Sequence, residues 1–485
     1  MPSSPLLSPA RVAANMSEIA PRYTAQEASV EANRCLFCFD APCIQACPTG
    51  IDIPSFIKKI ANGNLKGSAR TILSANILGA SCGRVCPTQV LCEGACVMMD
   101  RENDPIKIGR LQRYATDCVL DGTAPKLPVP PKKSGKRVAF IGGGPAGLGC
   151  AAELAQLGHE AVIFERKPQA GGLNTYGIAY YKMVPEVSLA EVRLVQSLGV
   201  EFRCGIEVGK DISIKELEES FDAIFIGVGL GGGTRLNIPG EDLPEVLDAL
   251  DFIEQIHTRP LHEVPVGKRV AVIGGGNTAI DAVTQAKRLG AERVVLIYRR
   301  GEADMSAYDF EQELARTDGV EFLFHSVPVG IVPDARGHVS ALRLGRTTMV
   351  DGKLQVLPET EWTEPFDQVI KAIGEQKRVS LLRSLFPKLS LDARGAIVHD
   401  HDTRQTNQPK VFAGGDCANG GREVVNAVAE GKKAARGMHQ LFAGKKTAGP
   451  VQPSRLGVIG LPMGSGFDRP IRVPELEAEF AKQQK

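Results

Sequence analysis

Residues 136–166, KRVAFIGGGPAGLGCAAELAQLGHEAVIFER, are answered by residues 268–300, KRVAVIGGGNTAIDAVTQAKRLGAERVVLIYRR. Each stretch opens with a short apolar run and turns on glycines. A helix-forming segment ending at Leu-Gly follows, then a second apolar run. This order of strand, glycine turn, helix and strand is a βαβ unit with parallel strands. Its occurrence twice in one chain predicts two α/β Rossmann-like nucleotide-binding domains.

Other segments pair off around the two copies. FDAIFIGVGLG (221–231) and FDQVIKAIGEQ (366–376) read as matched strands returning through glycines. VFAGGDCANGG (411–421) is a further strand ending in glycines, followed by the helical run VVNAVAEGKKAARGMHQLF. The order predicts one domain inserted in the other: a first domain over 136–262 and 372–445, and a second over 263–371. Ahead of them, 25–120 reads as a helical domain and 121–135 as a Pro/Lys linker. Residues 1–24 read as a loose lead-in. Within 25–120, PSFIKKIANGNLKGSARTILSAN reads as amphipathic helix broken near Gly63 and Gly67. The tail, 446–485, ends in the short polar helix PELEAEFAKQQK and receives no task.

Composition narrows the function. The 485 residues carry 57 Lys+Arg against 56 Asp+Glu, so a nucleic-acid role has no support. No apolar run approaches the ~20 residues of a membrane span. The N-terminus lacks a secretory layout, and a cytoplasmic setting with reduced thiols is expected.

In the first copy, Gly142, Gly143, Gly144, Pro145, Ala146 and Gly147 form the turn and helix start that can cradle a pyrophosphate. Glu165 ends the next strand, where an acid can accept hydrogen bonds from a ribose diol. The second copy has Gly274, Gly275, Gly276 and Asn277, with Ala279 in the third glycine place. Arg299 and Arg300 stand where an acid would end its strand. They suit a 2′-phosphate, and the alternative is a solvated basic strand end. Glu302 and Asp304 lie close enough to blunt that preference.

Eight of the twelve cysteines crowd into residues 35–96: Cys35, Cys38, Cys43 and Cys47, then Cys82, Cys86, Cys92 and Cys96. Thiolates at this density fit [4Fe–4S] clusters. Structural zinc and inert thiols are the rivals, and a zinc-binding regulatory or scaffold protein is the corresponding function of another class. The nucleotide half, with its late Gly-Gly-Asp segment (414–416), resembles two-domain flavoprotein reductases, and that favours clusters, because zinc would leave a flavin without an outlet. By spacing alone, Cys82 is a ligand. The isolated Cys118, Cys150, Cys204 and Cys417 read as small buried hydrophobes. No Cys-x-x-Cys lies in the nucleotide half, so a disulfide relay is not expected.

Cys-Pro-Thr-Gly-Ile-Asp-Ile (47–53), Cys-Gly-Arg-Val-Cys-Pro-Thr (82–88), Leu-Cys-Glu-Gly-Ala-Cys (91–96) and Ile-Gly-Arg-Leu-Gln-Arg-Tyr (108–114) carry a family resemblance. They resemble the N-terminal half of dihydropyrimidine dehydrogenase and its free-standing bacterial counterpart, an NAD(P)H-oxidising flavoprotein subunit. The glutamate synthase small subunit belongs to the wider group. The resemblance implies one cluster on Cys35, Cys38, Cys43 and Cys96, and another on Cys47, Cys86, Cys92 and the amide oxygen of Gln112. Glutamine at 112 and the Thr-Gly-Ile-Asp run are similar to the pyrimidine branch. This resemblance places Gly172, Leu173 and Lys182 near an FAD and Gly374 in the nicotinamide cleft, while the likeness to two-domain flavoprotein reductases places Gly415 and Asp416 at the flavin, with a helix from near Val424 aimed at its ring. NADPH-using relatives have a further arginine where this chain has Ser306, which weakens the case for NADPH.

The implied activity is an electron-input subunit. It oxidises NAD(P)H with FAD and passes single electrons through two [4Fe–4S] clusters. The implied partner is a catalytic FMN subunit reducing uracil or thymine, giving a hetero-oligomer. No side chain is assigned an acid–base role, because hydride transfer to a flavin requires none.

Overall fold

The computed structural model describes residues 7–130 and 132–444; the predicted tail over 446–485 lies outside the described residues. The cysteine-rich region is helical, as its 3- and 4-residue apolar spacing requires. Ile53, Phe56, Ile57 and Ile60 form one buried stripe on the helix Ile53–Ala61. They pack with Ile72 of Leu65–Ala75 and with Leu111 and Ala115 of Ile108–Thr116. Capping explains the helix starts. Thr24 and Glu27 form a reciprocal capping box on Ala25–Asn33, and Asp52 accepts from the Ser55 amide at 3.1 Å. The break falls at Gly63 alone. Gly67 lies inside the following helix, where its amide donates to the Asn64 cap at 2.9 Å.

Strands begin with β1 (Arg137–Ile141), β2 (Glu160–Glu165), β3 (Glu201–Cys204) and β4 (Ala223–Ile226). Next come β5 (Val246–Asp248), β6 (Arg269–Ile273), β7 (Arg293–Ile297) and β8 (Glu321–Leu323). After β9 (Ser326–Pro333), β10 (Val339–Val350), β11 (Lys353–Val356) and β12 (Trp362–Pro365) the chain returns through β13 (Gln368–Lys371) and β14 (Val411–Ala413). One parallel sheet has the order β14-β4-β1-β2-β3 and another β5-β13-β6-β7-β8. Every strand of the second sheet comes from between β4 and β14 of the first.

Strand β1 is buried on both faces, as a central parallel strand must be. Val138 and Phe140 join the core beneath the helices Pro145–Gln156 and Val424–Ala443. Ala139 and Ile141 join that beneath Ile214–Ser220 and Val379–Leu385. The second sheet has helices on one face only. Its other face, with Ala271, Ile273, Val295 and Ile297, packs on Leu342, Leu344 and Phe366. The antiparallel layer β9–β12 supplies most of that cover. The βαβ pattern gives no sign of this layer.

Strand β5 and the helix Ala249–Thr258 belong with the second sheet, so that domain begins before the expected residue 263. Two segments expected to hang loose are packed. Pro9–Asn15 is a helix, and its Val12, with Met16, buries in the second domain's core against Phe252, Ile256 and Val283. In the Pro/Lys stretch, Leu127 is buried in the first domain's core, with Val129 packed against it. Among the described residues, no helix is long and apolar enough to cross a membrane.

Candidate redox site

The first glycine turn follows from how tightly β1 meets its neighbours. Gly142 has φ +103°, and a Cβ there would lie 2.5 Å from the Gly227 carbonyl oxygen. Its amide donates to Phe164 O at 2.9 Å. Gly144 precedes the helix Pro145–Gln156, which therefore starts with free amides, Pro145 taking the position that needs no donor. A Cβ on Gly147 would approach Gly142 O at 2.6 Å. Glu165 is buried at the end of β2 and accepts from Gly143 N at 2.8 Å and Lys167 N at 2.9 Å. It holds the turn in shape, a task the sequence did not disclose.

Three other segments converge on this turn. A Cβ on Gly172 would meet Gly144 Cα at 2.8 Å, so the two turns lie in contact, with Leu173 beside them 45% exposed. A Cβ on Gly415 would sit 3.0 Å from that of Ala146. Asp416 follows, its carboxyl raised by burial against a bond from Arg422 N. Val424–Ala443 begins here and crosses Pro145–Gln156 so closely that Gly431 leaves no room for a side chain over Ala146 O. The result is a glycine-lined cradle at the ends of β1 and β14, facing two helix N-termini. That is how a protein receives a dinucleotide phosphate.

The second turn repeats the first at the end of β6. Gly274 abuts Ala372 O, and Gly275 O accepts from Ser306 N and Ala307 N, both at 3.1 Å. Gly276 leads into the helix Asn277–Arg288, and Asn277 Oδ1 accepts from Tyr308 N at 3.0 Å. Arg299 and Arg300 are exposed. Glu302 pairs with Arg316, and Asp304 accepts from Gly301 N. Neither acid takes up Arg299 or Arg300. Gly374 has φ +97° with nothing within 4 Å of a Cβ, so it borders open space.

Lys182 belongs to the first domain but points into the second. Its Nζ lies 2.7 Å from Asp281 Oδ1 and 2.6 Å from Glu311 Oε1. Tyr181 OH donates to the same Asp281 oxygen at 3.0 Å, and Tyr180 N to Gln285 Oε1 at 2.9 Å. Burial pushes the Glu311 carboxyl up to about 7 although the ammonium opposes it. Tyr308 OH donates to Glu423 Oε1 at 2.8 Å, a second strut between the domains. Sequence reasoning missed Asp281 and Glu311. The available signal was Asp281 beside the buried Ile280, Ala282 and Val283 of one helix.

The thiols fall into two sets. Cys35, Cys38, Cys43 and Cys96 line one narrow, mainly apolar cavity with Ile53, Ile57 and Met98. Burial, then the neighbouring thiols of the set, pushes Cys43 up to about 12 and raises Cys35 and Cys38. In the other set, Cys86 is raised first by the bond its thiol donates to Cys82, then by burial and by Cys82, Cys92 and Cys47. Cys82 is buried one helical turn before Cys86. Gln112 is also buried. Its Nε2 donates to Gly79 O at 2.8 Å, and no protein donor is bonded to its Oε1 among the described residues. The donor set, soft thiols in apolar surroundings with one amide oxygen to spare, fits iron–sulfur clusters. Among the described residues, no three His, Cys, Asp or Glu side chains converge on one point as single-ion ligands. Of the isolated cysteines, Cys150 and Cys417 are buried as expected, but Cys204 is exposed and Cys118 half-buried.

The second set faces the nucleotide half. Lys432 donates to Ala75 O, and the helix Gly79–Val85 receives a buried acid, Glu191, from Pro185–Ser197. Burial raises the Glu191 carboxyl to about 7 from 4.5, against the lowering effect of bonds from Ser81 and Ala80. Its contribution to stability is therefore complete below pH ~4.5 and lost as pH rises through ~7. Glu191→Gln removes that loss. Between pH 6 and 8 the variant is expected to gain about 1.4 kcal/mol on the parent. Thermal midpoints of both proteins at the two pH values check this.

Residues 136–431 match the family model "Pyridine nucleotide-disulphide oxidoreductase", and residues 12–123 match "Dihydropyrimidine dehydrogenase domain II, 4Fe-4S cluster". The chain is 37% identical over 440 residues to the glutamate synthase [NADPH] small chain of Escherichia coli K12, covering 87% of this chain and 93% of that one. It is 34% identical over 429 residues to the NAD-dependent dihydropyrimidine dehydrogenase subunit PreT of the same organism, covering 88% and 98%. Among solved structures, FprA of Mycobacterium tuberculosis in complex with NADPH has a TM-score of 0.52 at 19% identity, covering 68% of this chain and 89% of that one. That likeness concerns the fold.

Proposed function

The chain belongs to the pyridine nucleotide-disulphide oxidoreductase family, and we propose that it is the electron-input subunit of a dihydropyrimidine dehydrogenase. At the coarser level it is an NAD(P)H-dependent flavin and iron–sulfur oxidoreductase. The observation that carries the fuller reading is the sorting of eight largely half-buried thiols into two sets, one against the flavin-type domain and one beneath a partly exposed surface. Leu36, Phe39 and Met99 are 41%, 66% and 38% exposed around the outer set. An apolar rim at the outer end of a relay suits a partner subunit.

When bound, FAD accepts hydride from a nicotinamide and the clusters carry its electrons onward singly. Gly142, Gly143, Gly144, Pro145, Ala146 and Gly147 hold the FAD pyrophosphate. Glu165 shapes that turn and stands at the ribose. Gly172, Leu173, Gly415 and Asp416 line the remainder, and the N-terminus of Val424–Ala443 favours negative charge on the ring. Lys182 keeps the two domains in register through Asp281 and Glu311. Gly274, Gly275, Gly276 and Asn277 hold the second dinucleotide, with Gly374 at the cleft. Cys35, Cys38, Cys43 and Cys96 take one cluster, and Cys47, Cys86, Cys92 and Gln112 the other.

The anchored amide of Gln112 supports the pyrimidine branch over glutamate synthase. The test is anaerobic oxidation of NADH and NADPH with uracil, with and without a co-purifying FMN partner. Uracil is expected to be reduced only with the partner present. A very large amidotransferase as the sole partner would overturn this assignment.

Arg299 and Arg300 are exposed and, among the described residues, form no ion pair, which supports use of NADPH alongside NADH. Charge-assisted bonds to phosphate contribute about 1.5–3 kcal/mol, so Arg299→Ala with Arg300→Ala should cost roughly 10- to 150-fold in kcat/KM for NADPH. The value for NADH should hold within about threefold. Equal losses with both cofactors would refute a 2′-phosphate site.

A further inference from the structure

Glu191 is 0% exposed and lies at the middle of Pro185–Ser197 in the flavin-type domain. No lysine or arginine forms an ion pair with it among the described residues. A carboxyl so placed needs hydrogen bonds to justify its burial. All of its bonds come from the cysteine-rich domain. Oε1 accepts from Ala80 N at 2.7 Å and Ser81 N at 2.9 Å, and Oε2 from the Ser81 hydroxyl. These groups open the helix Gly79–Val85, which has no side-chain cap of its own.

What that helix carries gives the contact its meaning. Cys82 lies within it and Cys86 closes it, while Gly79 O holds the amide of Gln112. A Cβ on Gly83 would lie 2.8 Å from Arg113 N, so the helix is also seated directly on Ile108–Thr116. Beside Glu191, Met183 and Val187 pack against Ala80. Met183 follows Lys182, the residue bonded to the second nucleotide domain. One short stretch, 182–191, therefore touches the inter-domain strut at one end and the thiol-bearing helix at the other.

We infer that Glu191 is a positioning residue for electron passage: by capping Gly79–Val85 from the flavin side, it fixes the distance and orientation between the flavin-type domain and the inner thiol set. The inference rests on the function proposed above. Each hydride brings two electrons, which leave singly into the thiol-held centres as the nicotinamide departs oxidised and one proton is released to solvent. Glu191 neither gains nor loses electrons. It sets how well the donor and acceptor sites are registered, and single-electron passage weakens exponentially as their separation grows.

The experiment uses the full chain, purified anaerobically, as Glu191→Ala, Glu191→Gln and Ser81→Ala. Iron and flavin contents are measured first. Stopped-flow absorbance then follows flavin bleaching by NADH, and freeze-quenched paramagnetic resonance follows reduction of the iron centres. In Glu191→Ala, iron, flavin and bleaching rate are expected to stay within about twofold of the parent, while iron reduction slows at least about tenfold. Glu191→Gln, which can still accept both amides, should recover to within about threefold, and Ser81→Ala should fall between. Unchanged iron reduction in Glu191→Ala overturns the inference. So does loss of iron or flavin from all three variants, which would make the contact a scaffold only. A parent protein with no iron signal would instead defeat the proposed function.

Discussion

Cys43→Ser will cost the protein about half its iron and at least about 100-fold of its electron delivery to a partner, while NADH still bleaches the flavin. Cys43 shares a cavity with Cys35, Cys38 and Cys96, and burial with mutual repulsion holds its thiol up to about 12. Such a group gives up its proton only to a strongly binding cation, and metal loading supplies one. A serine oxygen is harder and less acidic, and it sits on a shorter bond. The surrounding Ile53, Ile57 and Met98 offer no substitute ligand. Iron analysis, paramagnetic resonance and flavin bleaching on the same sample separate the two halves of the claim. Cys204→Ser, at an exposed thiol, is the control and should change none of them. Full iron with an unaltered spectrum in Cys43→Ser would remove Cys43 from the ligand set.

The second large effect concerns the flavin. Gly142→Val should yield protein that is nearly colourless at flavin wavelengths and destabilised by at least about 3 kcal/mol. Two costs add at this position. Its φ of +103° disfavours any side chain, and the Cβ would lie 2.5 Å from Gly227 O, backbone that cannot step aside. Gly374→Ala is the contrast. It has a similar φ of +97° but open space around it. Only strain of about 1–2 kcal/mol is expected there, with flavin retained. The ratio of flavin to protein absorbance and the thermal midpoint decide both cases. A fully flavinylated Gly142→Val would mean that the turn does not hold the phosphate.

Local chemistry made much of this legible. The two glycine turns could be read because strand, turn and helix obey different spacings, and only glycine fits where β1 and β6 meet the next carbonyl. The helix break at Gly63 was also readable, but Gly67 misled, because a helix tolerates glycine in its first turn when an asparagine caps it. Partnerships were harder to see. Lys182 could be singled out by resemblance, yet its acids, Asp281 and Glu311, lie far along the chain, Glu311 129 residues away, on helices that look ordinary in isolation. Glu191 left a trace, an acid on the same stripe as Val187, Ala190 and Val195. Spacing can mark such a residue as buried, but the groups that satisfy it depend on how two domains meet. The β9–β12 layer escaped notice because the βαβ pattern does not say what covers a sheet's second face.

The interleaving of the sheets has a consequence during synthesis. At about 5–20 residues per second, the ribosome releases the cysteine-rich domain well before β14 and Val424–Ala443 exist to complete the first sheet. The inserted domain, with all its strands consecutive, emerges between these events. Metal insertion can therefore begin on a nascent chain whose flavin cradle is still open, and the last helix of the described residues, bonding to Ala75 O through Lys432, then joins the two. Truncation before Val411 would accordingly leave iron uptake possible and flavin retention impossible.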